Sequence, residues 1–419
     1  MTSQPVQFTT RTAYTIPSQT YMLPNTWKRF QLSQLINKVL SLAQPVPFDF
    51  LVRGELLRGS VDEWCKERGV GEEETLEIEY IEATIPPQRA ATLPHDDWVG
   101  SISCTQLDRF VTASYDANVR IFSSSQELLH TIAGHTAPVL CASFVTPSLI
   151  VSGSQDRTAR LTRISNNDEA EAVASLVLHT GPVASVSVAG DGSRVLTAGW
   201  DGLVGVWDTL EPETDEVPAD TFEEKERLKK RRRVDVPASN TKRKAPLDVL
   251  KGHNGRVSQV VFIPGKETEA MSCGFDSMIR AWDVRTGVCT RSIASSEKPF
   301  TALALPTAGV AITSSTDRTL SLLDLRTPNS TPSSGFGHPS LPTSLSSHPT
   351  DGVRVASGAA DGVVRVWDIR STKAAVSSFD LWRKEGKKVL GLSWGAGIIG
   401  VAGEGGVEIW RLRESGVAA

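Results

Sequence analysis

Beyond residue 95 the chain is built of short runs in which apolar and polar side chains alternate, and one run, ADGVVRVWDI at 360–369, returns in imperfect copies. The copies are YDANVRIF (115–122), QDRTARLT (155–162), WDGLVGVWD (200–208), FDSMIRAWD (275–283), TDRTLSLLD (316–324) and, most altered, GEGGVEIW (403–410). Alternation with a period of two puts successive side chains on opposite faces of a strand, so VRVW and its counterparts read as half-buried strands. Each is preceded by an acid at a tight turn, where a carboxylate can bond its own backbone. These acids are Asp116, Asp156, Asp201, Asp276, Asp317, Asp361 and, substituted, Glu404, at steps of 40, 45, 75, 41, 44 and 43 residues. One step is too long by about thirty residues, and the others match the 40–45-residue period of a four-stranded propeller blade. Seven copies therefore predict seven blades.

A second signal keeps the same phase. His95, His135, His179, His253 and His338 precede their acids by 21, 21, 22, 23 and 23 residues, so five of the chain's seven histidines hold one repeat position. A Ser or Thr lies four residues before most acids, and an aromatic follows six residues after in five copies: Phe122, Trp207, Trp282, Trp367 and Trp410. Over about 95–413 this pattern resembles the WD-repeat family, whose members fold as β-propellers. The resemblance implies hydrogen-bonded tetrads His179–Thr197–Asp201–Trp207, His253–Ser272–Asp276–Trp282 and His338–Ser357–Asp361–Trp367. Blades 1 and 2 carry Phe122 and Thr162 in the Trp place; blade 5 lacks the His and has Leu323; blade 7 keeps Trp410 beside Glu404. Ser, His and Asp together also suggest a hydrolase triad. A catalytic site, however, is normally single in a fold, whereas this set recurs blade by blade. A buried polar chain that satisfies its own members is the better account. The resemblance further implies that the residue before each turn acid lies on a partner-binding rim; here those residues include Tyr115, Trp200 and Phe275. It also implies that an N-terminal strand, expected within 83–94, completes the last blade and closes the ring.

Residues 1–82 do not repeat. VQFTT (6–10) and YML (21–23) read as strands; Ser33 opens a helix with Leu35, Ile36, Val39 and Leu40 on one face; VPFDFLV (46–52) and TLEIEYIE (75–82) alternate as strands. SVDEWCKERG (60–69) has Ser60 and Glu63 in capping-box spacing and Gly69 as a stop. This order resembles a ubiquitin-like fold, without the terminal Gly-Gly of a conjugated tag. The fold class expected for the whole chain is mainly β, a seven-bladed WD40 β-propeller (95–413) behind a small α+β ubiquitin-like domain (1–82).

A ubiquitin-like domain joined to a WD propeller resembles the Notchless and Ytm families of large-subunit ribosome assembly factors. PVPFDFLVRGELLRGS (45–60), LEIEYIEATIPP (76–87) and the blade count are similar to the Ytm type. That resemblance implies a scaffold of the pre-60S particle, acting in pre-rRNA maturation. Its implied partners are a Bop/Erb-type WD-repeat protein, a pescadillo-type protein and the AAA ATPase midasin, in the nucleolus and nucleoplasm. In GEEET (71–75), three consecutive glutamates repel one another and cannot all be buried, so at least one should project into water. In the Ytm and Notchless families an acid of this loop supplies the last ligand to a magnesium ion held by midasin's integrin-like site. Counting back from Leu76 it falls at Glu73, with Glu72 and Glu74 as alternatives.

Charge changes the picture at the long step. Residues 210–246 begin acidic (EPETDE) and turn basic, with Lys229, Lys230, Arg231, Arg232 and Arg233, then Lys242, Arg243 and Lys244. They read as a disordered, solvated insert between blades 3 and 4. The paired clusters are candidates for nuclear import, with rRNA contact or no role as alternatives. The net charge of −4 decides nothing about a nucleic-acid partner, and five scattered cysteines without a C-x-x-C suit a reducing compartment. No apolar run is long enough to span a membrane, so a soluble protein is expected. No phosphate loop, metal-ligand spacing, nucleophile motif or cofactor signature occurs. The expectation is a non-enzymatic scaffold, with a substrate receptor of a ubiquitin pathway as the alternative.

Overall fold

Strand alternation in the chain's first residues buries one face against two helices. In this computed structural model the described residues are 3–412 apart from 11, 13, 43, 54, 72, 84–86, 107, 165–169, 218–240, 295–297, 308, 328–332 and 371–374. Strands Ser3–Thr9 and Leu76–Glu82 run parallel at the centre of a five-stranded sheet, flanked by Thr20–Pro24 on one side and Phe48–Val52 with Glu55–Leu56 on the other. Val6, Phe8, Phe48, Phe50, Ile78 and Tyr80 pack with Leu32 and Ile36 of helix α1 (Arg29–Leu40) into one core. Helix α1 starts a turn earlier than Ser33. Ser33 serves instead as a brace, its hydroxyl accepting from Phe48 N–H at 3.1 Å, while Gln31 caps the helix through Lys28 N–H at 3.1 Å. Helix α2 (Val61–Arg68) has the expected capping box between Ser60 and Glu63 and ends at Gly69 in the left-handed region (φ 67°).

The remaining described strands make seven four-stranded antiparallel sheets in a ring, the second of which carries a fifth strand. The innermost strands face a central channel of about 660 Å³. Neighbouring blades share no β-ladder there. Side chains bridge them instead: Cys104 N–H donates to Ser393 Oγ at 2.9 Å, Ala142 N–H to Ser101 Oγ at 3.0 Å, and Trp394 N–H to Ser346 Oγ at 2.9 Å. These bonds satisfy inner backbone groups that the channel wall would otherwise strand. Gln88–Leu93 pairs antiparallel with Gly406–Arg411 as the outer strand of blade 7, so the ring is joined by its own first strand.

The turn acids cap their own turns. In six blades the carboxylate accepts the N–H two residues on, at 3.0–3.3 Å (Asn118, Thr158, Leu203, Met278, Thr319 and Val363). The residue between is left-handed, which suits Gly202 (φ 82°) and Gly362 (φ 72°).

The insert differs from expectation in place and order. It lies inside blade 3, between Leu203–Asp208 and that blade's outer strand Asp248–Lys251, rather than between blades. Acid-to-acid spacing cannot tell these apart, because each step spans both connections. Nor are 210–246 uniformly disordered: Lys242–Lys244 forms the fifth strand of blade 2, parallel to Ala170–Leu176. The two arms hold each other, with Glu216 N–H donating to Arg243 O at 2.9 Å and Arg243 N–H to Asp215 at 2.7 Å.

Candidate functional site: an acidic turn and a propeller rim

Gly71–Glu74 forms a turn between α2 and the last strand of the first domain, closed by Glu74 N–H donating to Gly71 O at 3.2 Å. Gln4, on the first strand, is 1% exposed, and its amide donates to Gly71 O at 3.1 Å and Glu74 O at 2.5 Å. The Glu74 carboxylate is ion-paired with Arg53. Glu73 stands exposed near the tip with no hydrogen-bond or ion-pair partner among the described residues, which do not include Glu72. Among the described residues no three His, Cys, Asp or Glu side chains are grouped to hold a metal. A projecting carboxylate such as that of Glu73 suits a hard cation that another chain already holds, since magnesium takes oxygen ligands in octahedral geometry.

The blade clamps are buried and internally satisfied. In blade 3, Trp207 Nε1–H donates to Thr197 Oγ1 at 2.9 Å, His179 Nε2 meets the same oxygen at 2.8 Å, and His179 Nδ1 meets Asp201 at 3.1 Å. In blade 4, Trp282 Nε1–H donates to Ser272 Oγ at 2.8 Å, His253 Nε2 meets it at 2.7 Å and Nδ1 meets Asp276 at 2.9 Å. The hydroxyl of each would-be nucleophile is thus occupied from two sides. Blade 2 lacks the Trp but keeps His135 between Asp156 at 2.8 Å and Ser152 at 2.9 Å.

The third expected tetrad is only a triad. His338 Nε2 meets Ser357 Oγ at 3.1 Å and Trp367 Nε1–H donates to it at 2.7 Å, but His338 Nδ1 bonds Ser340 O at 2.6 Å. Asp361 pairs with Arg365 at 2.6 Å instead. The cause lies in the residue after the histidine. In blades 2, 3 and 4 the N–H of Thr136, Thr180 or Asn254 donates to the turn acid at 3.2, 2.9 and 3.2 Å. Blade 6 has Pro339 there, which has no N–H to offer. Blade 1 has Asp96, a like charge, and its turn acid Asp116 likewise turns to Arg120 at 2.6 Å. Burial pushes His338 down to about 4, and the Arg365 cation adds to the effect. Burial works to raise the Asp361 carboxyl, but Arg365 and the Val363 N–H outweigh it and hold the group below the usual range. Blade 7 has no tetrad: Gly400 stands in the hydroxyl position, Glu404 accepts Lys388 N–H at 3.1 Å, and Trp410 Nε1–H goes to Glu408 at 3.0 Å. Cys104, Cys141 and Cys273 are buried, and burial pushes their thiols up to about 12, away from thiolate chemistry at neutral pH.

The rim residues differ among themselves. Trp200 is 38% exposed, with the Arg256 guanidinium 4.5 Å over its ring, and Phe275 is 47% exposed. Tyr115 is only partly buried, edge-on to Trp98 at 5.9 Å. Trp98 is itself 48% exposed and was missed by a reading confined to residues before turn acids; it lies in the connection entering blade 1. In antiparallel blades the acid turns and the inter-blade connections share one end of the ring, so these aromatics lie opposite the insert.

The second basic cluster is held in the fold, and only Lys242 and Arg243 of it keep partial exposure. Lys242, Arg243 and Lys244 are strand residues, and Lys244 is 2% exposed with its ammonium on Asp208 and Leu210 O. Lys242 sits 3.8 Å from Glu211. Lys229, Lys230, Arg231, Arg232 and Arg233 lie outside the described residues.

A ubiquitin-like domain in front of a closed seven-bladed ring makes this a WD-repeat protein with a small N-terminal α+β domain. Residues 5–65 match the NLE (NUC135) domain, and 126–162, 170–208, 244–283 and 330–368 match the WD domain, G-beta repeat. The chain is 51% identical to the ribosome biogenesis protein YTM1 of Laccaria bicolor, over 98% of this chain and 95% of that protein. It is 47% identical to the protein of that name from Coprinopsis cinerea over the same shares, and 33% identical to that of Eremothecium gossypii over 90% and 88%. The chain belongs to the YTM1 family of ribosome biogenesis proteins.

Proposed function

We propose that the chain is a non-catalytic scaffold of large-subunit (60S) assembly and pre-rRNA maturation, acting in the nucleolus and nucleoplasm. Its first domain presents Glu73 as an oxygen ligand to a magnesium ion held in the integrin-like site of midasin. The ion supplies an open coordination position; the chain supplies a carboxylate on a closed turn. The propeller meanwhile holds a Bop/Erb-type WD-repeat partner, in complex with a pescadillo-type protein, through a rim that includes Trp200, Phe275 and Tyr115. Exposed aromatics of this kind are common anchors of protein interfaces. Import rests on Lys229–Arg233, with rRNA contact as the other use of that cluster. The observation that carries the reading is the exposed Glu73, unpartnered among the described residues, in a turn whose neighbour Glu74 is already ion-paired.

The test is magnesium-dependent binding of the full chain to midasin's integrin-like domain. Glu73→Ala should abolish it, and Glu73→Asp should fail too, because one methylene fewer withdraws the oxygen. Both variants should still bind the Bop/Erb-type partner, whereas Trp200→Ala should lose that partner and keep midasin. Wild-type midasin binding by single alanine variants at 72, 73 and 74 would remove the turn from the mechanism. Sedimentation away from large-subunit precursors would favour the ubiquitin-pathway reading.

A further inference from the structure

We infer that Gln4 is the positioning residue of this turn and that, with Arg53, it favours Glu73 over Glu74 as the outward carboxylate. The inference rests on the reading of Glu73 as a metal ligand in trans. Glutamine is seldom buried unless its amide is satisfied, yet Gln4 is 1% exposed on a strand whose neighbours Val6 and Phe8 fill the domain core. Its Nε2 bonds the carbonyls that begin and end the turn, Gly71 O at 3.1 Å and Glu74 O at 2.5 Å. With the Glu74 N–H to Gly71 O bond at 3.2 Å, one buried amide spans the mouth of a turn that is otherwise solvent-exposed.

Holding the mouth fixes the tip. A carboxylate aimed in advance loses less freedom on binding than one carried by a loose loop. Arg53 acts on the side chain rather than the backbone. It lies in the hairpin between Phe48–Val52 and Glu55–Leu56 with a left-handed φ of 49°, and its guanidinium engages the Glu74 carboxylate in an ion pair. The pair is half-exposed on both sides, so it sets a preferred direction more than it adds stability. Together the two residues set Glu73 apart from Glu74 as a presented ligand.

The experiment uses the full chain, midasin's integrin-like domain and magnesium, with hydrogen exchange across 69–76 as an independent readout. Gln4→Met keeps length and apolar fit but has no donor. Exchange at the turn is expected to quicken about tenfold, exchange in the propeller to stay unchanged, and affinity to fall about tenfold. Wild-type affinity alongside faster exchange overturns the positioning role, and unchanged exchange overturns the claim that Gln4 holds the turn. Should Gln4→Met fail to fold, Arg53→Ala in a Glu73→Ala background serves. Freed Glu74 should then restore measurable magnesium-dependent binding, and no recovery overturns the selection. If Glu73→Ala alone binds like wild type, the metal-ligand reading falls, while the exchange result still judges Gln4.

Discussion

Ser272 serves two buried donors or acceptors at once, Trp282 Nε1 and His253 Nε2, whereas Thr313, at the same place in blade 5, has a buried hydroxyl with no partner among the described residues. Opposite effects of removing the oxygen follow. Ser272→Ala should cost about 2–4 kcal/mol, because two buried polar groups lose their partner. Thr313→Val should be neutral or stabilise by up to about 1 kcal/mol, since shape is kept and an unsatisfied group is removed. Urea midpoints of both variants check this, and a loss on Thr313→Val would show a partner for that hydroxyl. His338 gives a pH dependence. Its folded value of about 4 lies below the ordinary 6.5, so the unfolded chain binds the proton first. Stability from this group is complete above about pH 6.5, falls as the pH drops toward 4, and is level below that, a loss on the order of 3 kcal/mol. The drop in urea midpoint between pH 7.5 and 4.5 should be smaller in His338→Gln than in wild type; an equal drop in both would acquit the histidine. Spacing alone located every histidine, hydroxyl and acid of these clamps. It could not say which group Asp361 meets; the legible signal was the residue after the histidine, Pro339, which has no N–H to donate to that acid.

Among elements, the long connection of blade 3 is the least regular and the most informative. Its two ends are held to one another and to blade 2, through Glu216, Arg243 and the buried Lys244. Joining Val217 to Thr241 through two glycines should therefore leave the melting temperature within about 1 °C, because each end keeps its own bonds. The same excision removes Lys229–Arg233 and should shift a fluorescent fusion from nucleus to cytosol; unchanged nuclear signal would refute import by this cluster. Mixed charge marked these residues as a solvated loop, and for KRK at 242–244 that inference fails. A basic triplet carries no apolar alternation, and it becomes a strand only because the exposed edge of Ala170–Leu176 offers backbone partners. The start of α1 was hidden for a similar reason: Ser33 has the chemistry of a cap but is used on Phe48 N–H across the domain.

At the scale of the whole molecule, seven sheets depend on one strand contributed from the other end of the repeats. Removing residues 1–86 should leave a folded propeller, since the outer strand of blade 7 begins at Gln88. Removing 1–95 takes away that strand and His95 with it, exposes the edge of Gly406–Arg411, and should yield an aggregating or partly unfolded ring. Scanning calorimetry and size-exclusion of the two truncations separate them; equal behaviour would mean that the ring closes without the strand. The blade number was legible because each blade repeats one turn acid at nearly constant spacing. The bridging of inner strands by Ser393, Ser101 and Ser346 was not, since single serines between apolar residues look like any half-buried strand.

The strand that closes the ring is also the only described strand covalently continuous with the first domain, and this makes it a mechanical joint. Tension on residues 1–82 enters the propeller at Gln88, opposite Arg411, and runs toward Leu93, opposite Val407. The ladder bonds lie across the strand. A pull along its axis loads all of them together, with the Arg89–Glu408 pair at 2.9 Å sharing the shear. A pull directed away from the edge of blade 7 loads them one at a time, starting from the Gln88 end. The same joint is therefore strong or weak according to the direction of the tug: a firm handle for hauling the propeller away whole, or a tear strip that opens it.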